Sequence, residues 1–133
     1  SNTIVITGGE PLTWDMGALT EGLKAKNMNI HIETSGAYPL TGVWDWICLS
    51  RRFSFHFFFI IHNKAHELKV IVYNKHDFIF AEEQAAQVSE DCILYLQPEW
   101  SVRDKIMPLI VDYVMKHPKW KVSLQTHKYL NIP

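Results

Sequence analysis

The sequence lacks a cysteine cluster. Its 133 residues hold two cysteines, Cys48 and Cys92, far apart and each inside an apolar run, which excludes a CxxC metal or redox pair and a disulfide framework. Buried free thiols and a reducing cytoplasm fit that usage. The run from Phe53 to Ile61 is apolar but too short for a bilayer, which takes about 20 such residues, and it carries His56. No signal peptide or lipidation motif stands out. Nor is charge of either sign in excess. Lys and Arg number 13 against 14 Asp and Glu, a net charge of −1, so no broad basic field directs the chain to nucleic acid or to a membrane surface. Low-complexity tracts, linkers and internal repeats are also missing.

What is present is a soluble globular composition, 47% apolar and 20% charged, at a length that suits one domain over residues 1–133. Ser1 stands where a Met would, and a strand begins almost at once, so a piece of a longer chain is the expectation. The stretch Ile4-Val5-Ile6-Thr7-Gly8-Gly9-Glu10-Pro11 organises the rest. Its β-branched start reads as a buried strand. Two glycines then allow a sharp turn and close approach of a ligand to bare main chain, and Pro11 fixes the exit.

The spacing predicts a helix from a cap at Thr13 or Asp15 to about Lys26, with Leu19, Leu23 and Met16 inward. Strands follow in NIHIETSG, at 44–50, at 67–73 and at 92–98, with a helix at about 77–88 facing inward through Phe78, Ala81, Ala85 and Val88. Ser101 with Asp104 imitates a capping box for a helix whose inner face is Ile106, Leu109, Ile110, Tyr113 and Val114. Pro108 within that run either kinks the helix or marks where it begins. Val122 and Leu124 make a last short strand. Strands alternating with helices at this spacing predict an α/β fold of parallel βα units. Residues 51–63, RRFSFHFFFIIHN, match no such template.

Polar residues gather where the predicted strands end: Thr7 to Glu10, Glu33-Thr34-Ser35, Ser50, Gln97 with Glu99, and Gln125-Thr126-His127. In a parallel sheet those ends share one rim, where ligands bind. Carboxylates, hydroxyls and amides of this kind suit an ammonium group and the hydroxyls of a sugar. Each has a blander reading as a solvated strand end or loop bond. Five ends bearing such groups favour a common site.

The string TGGEP resembles the methionine-binding motif of radical S-adenosylmethionine (SAM) enzymes. With IETSG, DWICLS, ELKVIVYNK, LYLQPEW and SLQTHKYLNIP in this order, the chain resembles the 7-carboxy-7-deazaguanine synthases of queuosine and 7-deazapurine biosynthesis, a tRNA-modification route. The resemblance covers nearly everything except 51–64. It implies a partial radical SAM (βα) barrel, here its C-terminal part with exposed strand edges. It also implies a lyase that contracts 6-carboxy-5,6,7,8-tetrahydropterin to 7-carboxy-7-deazaguanine with loss of ammonia, using SAM, a [4Fe–4S] cluster and Mg2+. Matching motifs place Gly8, Gly9, Glu10, Glu33, Ser50, Arg51, Arg52 and Gln97 at SAM, and Thr7, His127 and the Pro133 carboxylate at the pterin. An electron donor such as flavodoxin and a homodimer are the implied partners.

Two departures matter. The family's cluster cysteines, its magnesium site and further pterin contacts lie upstream of the GGEP strand. No catalytic residue or metal ligand is therefore expected in this chain, and the chain alone is expected to be inactive. After DWICLS the family continues Pro-Lys, whereas Arg51-Arg52 stand here, followed by FSFHFFFIIHN. A locally shifted reading frame accounts for this, and a Pro-Lys segment in another frame of the coding DNA tests it. Three other readings stay open: a different radical SAM enzyme such as a glycyl-radical activase, a non-catalytic α/β remnant that binds a ligand or partner only, and a non-functional pseudogene product, for which residues 51–63 are the best evidence.

Overall fold

Six apolar runs become six strands, and all of them pair in parallel. The computed structural model describes residues 2–53 and 62–125. The strands are β1 (Thr3–Ile6), β2 (Asn29–Thr34), β3 (Trp46–Arg51), β4 (Glu67–Val72), β5 (Ile93–Pro98) and β6 (Trp120–Val122), and they neighbour one another in chain order. Sequential order with parallel pairing is the wall of a (βα) barrel rather than a doubly wound sheet, whose order reverses at a switch point. The expected α/β class and partial-barrel architecture are thus observed.

Three helices, α1 (Gly17–Ala25), α2 (Asp77–Ala85) and α3 (Arg103–Lys116), cross between strands on one face. Burial alternates along β2 and β4, so Ile30, Ile32, Leu68, Val70 and Val72 face the helices. They join Leu94, Leu96, Ile106, Ile110 and Trp120 in burial. The opposite face carries His31, Glu33, Trp46, Cys48, Glu67, Lys69 and Tyr95 around a cavity of about 450 Å³, the inside of the barrel wall. No described helix is long and apolar enough to cross a membrane.

Several local expectations change. Leu19 points to solvent, 49% exposed, and Thr20 is fully buried in its place. The Thr20 hydroxyl donates to the Met16 carbonyl at 2.8 Å and accepts the Val43 N–H at 2.9 Å, so the loop from 35 to 45 needs a hydroxyl at that position. That loop joins β2 to β3 without a helix. β3 starts at Trp46 rather than Trp44, because Asp45 is occupied with the Ile30 N–H at 2.7 Å and with Lys24 at 2.5 Å. The Ser101–Asp104 capping box does not form. Glu99 accepts the Ser101 N–H at 3.0 Å and caps the single 3-10 turn Trp100–Val102 that precedes α3. The last strand begins at buried Trp120, ends at Val122 and leaves Leu124 outside it, 51% exposed. Most of the anomalous 51–63 stretch lies outside the described residues.

Candidate functional site

The turn after β1 is held in place by Glu10. Its carboxylate accepts the Leu12 N–H at 2.9 Å, the Thr34 hydroxyl at 2.7 Å, and the Ser35 N–H and hydroxyl, each at 2.8 Å. Burial pushes this carboxyl up, but the hydrogen bonds from Thr34, Ser35 and Leu12 outweigh it and hold it below its usual value. The exit of β1 is therefore tied to the exit of β2. Gly8 takes φ of +108°, the left-handed region that favours glycine. A Cβ at Gly8 or Gly9 would meet no protein atom within 4 Å, so the main chain of the turn faces open space.

That space is a rim cavity of about 300 Å³. Thr7, Gly8, Glu10, Glu33, Ser50, Arg51 and Arg52 line it, and Gly9 lies in the turn between Gly8 and Glu10. Thr34, Ser35 and Ile71 add to the wall. Gln97 is not part of it. This residue is buried at the end of β5 and accepts the Ser123 hydroxyl at 3.2 Å. His127 and Pro133 lie outside the described residues.

Arg51 is fully buried beneath the turn at Gly36, where an added Cβ would approach its Nη2 to 2.9 Å. Burial lowers its guanidinium to about 10. A second cavity of about 360 Å³ continues along the rim from Arg52 and Ile71 to Tyr73, Asn74, Asp77 and Glu99.

Lys69 was not among the residues the sequence singled out. It reaches from β4 over β3 to form an ion pair with Glu33 on β2. The alternation in ELKVIVY was the available signal, since it sets Glu67 and Lys69 on the face opposite Leu68 and Val70. Glu67 accepts the Trp46 indole N–H at 2.8 Å, and Trp46 stacks on His66 with ring centres 4.9 Å apart.

A glycine turn with exposed main chain, a carboxylate and hydroxyls fits a small zwitterionic nucleoside ligand. An iron–sulfur cluster or a metal ion does not fit the described residues, in which no group of three or more His, Cys, Asp or Glu is placed to hold one. Cys48 faces the inner cavity and Cys92 the core beneath the helices. Burial holds both thiols up, Cys92 to about 11 and Cys48 further, with Glu67 adding to each.

No family model matches the chain. The sequence is 65% identical to 7-carboxy-7-deazaguanine synthase of Flavobacterium psychrophilum over all 133 residues, which span 63% of that protein. It is 46% identical to the enzyme of that name from Synechocystis over 97% of the chain and 62% of the relative. Against the Prochlorococcus marinus enzyme of that name it is 35% identical, over 97% of the chain and 67% of the relative. The crystal structure of QueE from Escherichia coli superposes with a TM-score of 0.79 at 26% identity, covering 94% of this chain and 57% of that one. The chain thus spans less than two thirds of the first two relatives' length, and the parallel sheet and glycine turn described above fall inside the shared part. On these matches, the chain belongs to the 7-carboxy-7-deazaguanine synthase family.

Proposed function

We propose that this chain supplies the SAM-binding rim of a 7-carboxy-7-deazaguanine synthase. The intact protein would be a cytoplasmic carbon–nitrogen lyase of queuosine biosynthesis that contracts 6-carboxy-5,6,7,8-tetrahydropterin and releases ammonia. One observation carries the reading: the TGGEP turn, Glu33 and Ser50, far apart in sequence, meet around one rim cavity. The bare main chain of Gly8 and Gly9 receives the methionine part of SAM, and Glu10 shapes that cradle by holding β2. Glu33 and Ser50 offer acceptors and a donor to the ribose hydroxyls. The family resemblance assigns Thr7, His127 and the Pro133 carboxylate to the pterin, and Gln97, which does not line the rim cavity, to SAM. SAM held at this rim would supply radical chemistry toward the pterin. The chain's residues orient the two ligands beside one another, which is where positioning lowers a barrier most. Cluster and Mg2+ ligands belong to residues other than those described. A flavodoxin-like donor and a homodimer complete the proposal.

The test is to join the amino-terminal region of the Flavobacterium psychrophilum relative ahead of Ser1, reconstitute the cluster, and supply SAM, reductant and the carboxypterin. Formation of 7-carboxy-7-deazaguanine, detected by mass, is the expected result. SAM cleavage without conversion of the pterin would point to another radical SAM reaction. Absence of SAM binding at full cluster loading would overturn the reading and leave a non-catalytic remnant.

A further inference from the structure

Glu33 lines both the rim cavity and the inner cavity, so it forms part of the wall between them. Lys69 lines only the inner one. The ammonium therefore meets the Glu33 carboxylate from behind, away from the face that the rim presents. Two strand spacings separate β4 from β2, about 9.6 Å. Neither side chain spans that alone, so both must lie extended across the concave face of β3. The Lys69 side chain is 17% exposed and that of Glu33 32% exposed. An ion pair shielded to this degree fixes geometry better than a surface pair, which yields little.

We propose that Lys69 is a positioning residue for Glu33, holding its carboxylate turned so that the free oxygen faces the ribose hydroxyls of a ligand in the rim cavity. The inference rests on the SAM reading given above. Lys69 itself touches no ligand. It acts through Glu33, and Ser50, its register partner on β3, completes the same wall.

Other titratable groups around Glu33 come from each adjoining element. Glu10 stands at the turn after β1, His31 on β2, Cys48 and Arg52 on or beside β3, Glu67 on β4 and Tyr95 on β5. Glu10 and Glu67 oppose the charge on Glu33, Arg51 and Arg52 line the rim beside it, and Lys69 is the cation ion-paired with it across β3.

The experiment is calorimetric SAM titration of the cluster-loaded protein in which the amino-terminal region of the Flavobacterium psychrophilum relative precedes Ser1, with Lys69→Met, Lys69→Arg and Glu33→Gln variants checked for folding by circular dichroism. Lys69→Met keeps the stem in the inner wall and removes only the charge. The expected results are a loss of SAM affinity of about tenfold or more in Lys69→Met and in Glu33→Gln, with most of it recovered in Lys69→Arg. Recovery in Lys69→Arg but not in the uncharged Lys69→Gln is the result that a purely structural role would not produce. Should Lys69→Met unfold, wild-type affinity in Lys69→Gln overturns the proposal on its own. Unchanged affinity in Lys69→Met overturns the positioning role while leaving the SAM reading intact. A folded, fully cluster-loaded parent that binds no SAM overturns both.

Discussion

The Glu10 carboxylate accepts both the backbone N–H and the hydroxyl of Ser35, 25 residues further along, each at 2.8 Å. With the Thr34 hydroxyl and the Leu12 N–H, this bond set makes the first rim turn and the second one unit. Glu10→Gln keeps one acceptor oxygen but loses the charge that strengthens all four bonds. A loss of about 1–3 kcal/mol of stability at neutral pH is expected, measured by urea unfolding. The group's folded value lies below its usual one, so its stabilising effect is present above the unfolded value and is lost as pH falls through the folded value. The gap between the parent and Glu10→Gln should therefore close on acidification. A gap that persists after Glu10 is protonated would refute the ionised clamp.

Gly36 and Gly22 predict opposite outcomes for the same substitution. Gly36 has φ of +76°, and a Cβ there would sit 2.9 Å from Arg51 Nη2 and 3.0 Å from Leu49 Cδ1. Gly36→Ala should destabilise by about 1–3 kcal/mol, from backbone strain and from displacement of a buried arginine. Gly22 is exposed within α1, and its added Cβ would meet nothing within 4 Å. Gly22→Ala should stabilise by about 0.5–1 kcal/mol. Thermal melts of the two variants decide both.

The rim was legible in the sequence because strand ends announce themselves. Apolar runs broken by Gly8-Gly9 or by polar triplets such as Glu33-Thr34-Ser35 locate the carboxyl ends of strands, and parallel pairing then brings them together. What stayed hidden depends on tertiary partners. Glu10 looked like a ligand group, and only the fold reveals its bonds to Thr34 and Ser35. Leu19 was read as inward from helical spacing alone, yet the loop backbone at Val43 demanded a hydroxyl beside it, and Thr20 took the buried place. Lys69 was passed over because a lysine in an apolar strand has no visible partner until β2 lies two strands away.

Glu82 joins α2 to the end of the sheet. Its carboxylate accepts the Trp120 indole N–H at 3.0 Å, the Lys119 ammonium at 2.6 Å and the Tyr113 hydroxyl. Trp120 is 1% exposed, so Glu82→Ala leaves a buried donor without its acceptor, at a cost of about 1–3 kcal/mol. Tyr113→Phe removes a donor instead and should cost less, about 0.5–1.5 kcal/mol. Burial, together with the Glu82 carboxylate, holds the Tyr113 hydroxyl well above its usual value. Spectroscopic titration of tyrosine should accordingly show one phenol ionising earlier in Glu82→Ala than in the parent.

Pro108 neither starts nor ends α3, which runs unbroken from Arg103 to Lys116. It is exposed, while Ile106 and Ile110 on either side of it are buried. The N–H it lacks would have bonded the carbonyl of Asp104 four residues back, and both residues sit on an exposed face open to solvent. The helix survives because the burial of Ile106 and Ile110 outweighs one missing solvent-side bond. Restoring the bond with Pro108→Ala should therefore stabilise the chain, by about 1–3 kcal/mol, without altering the core. A urea midpoint that rises with unchanged slope would bear this out. A fall in the midpoint would show instead that the proline's restricted φ stabilises the native helix by limiting the unfolded chain more than its missing bond costs.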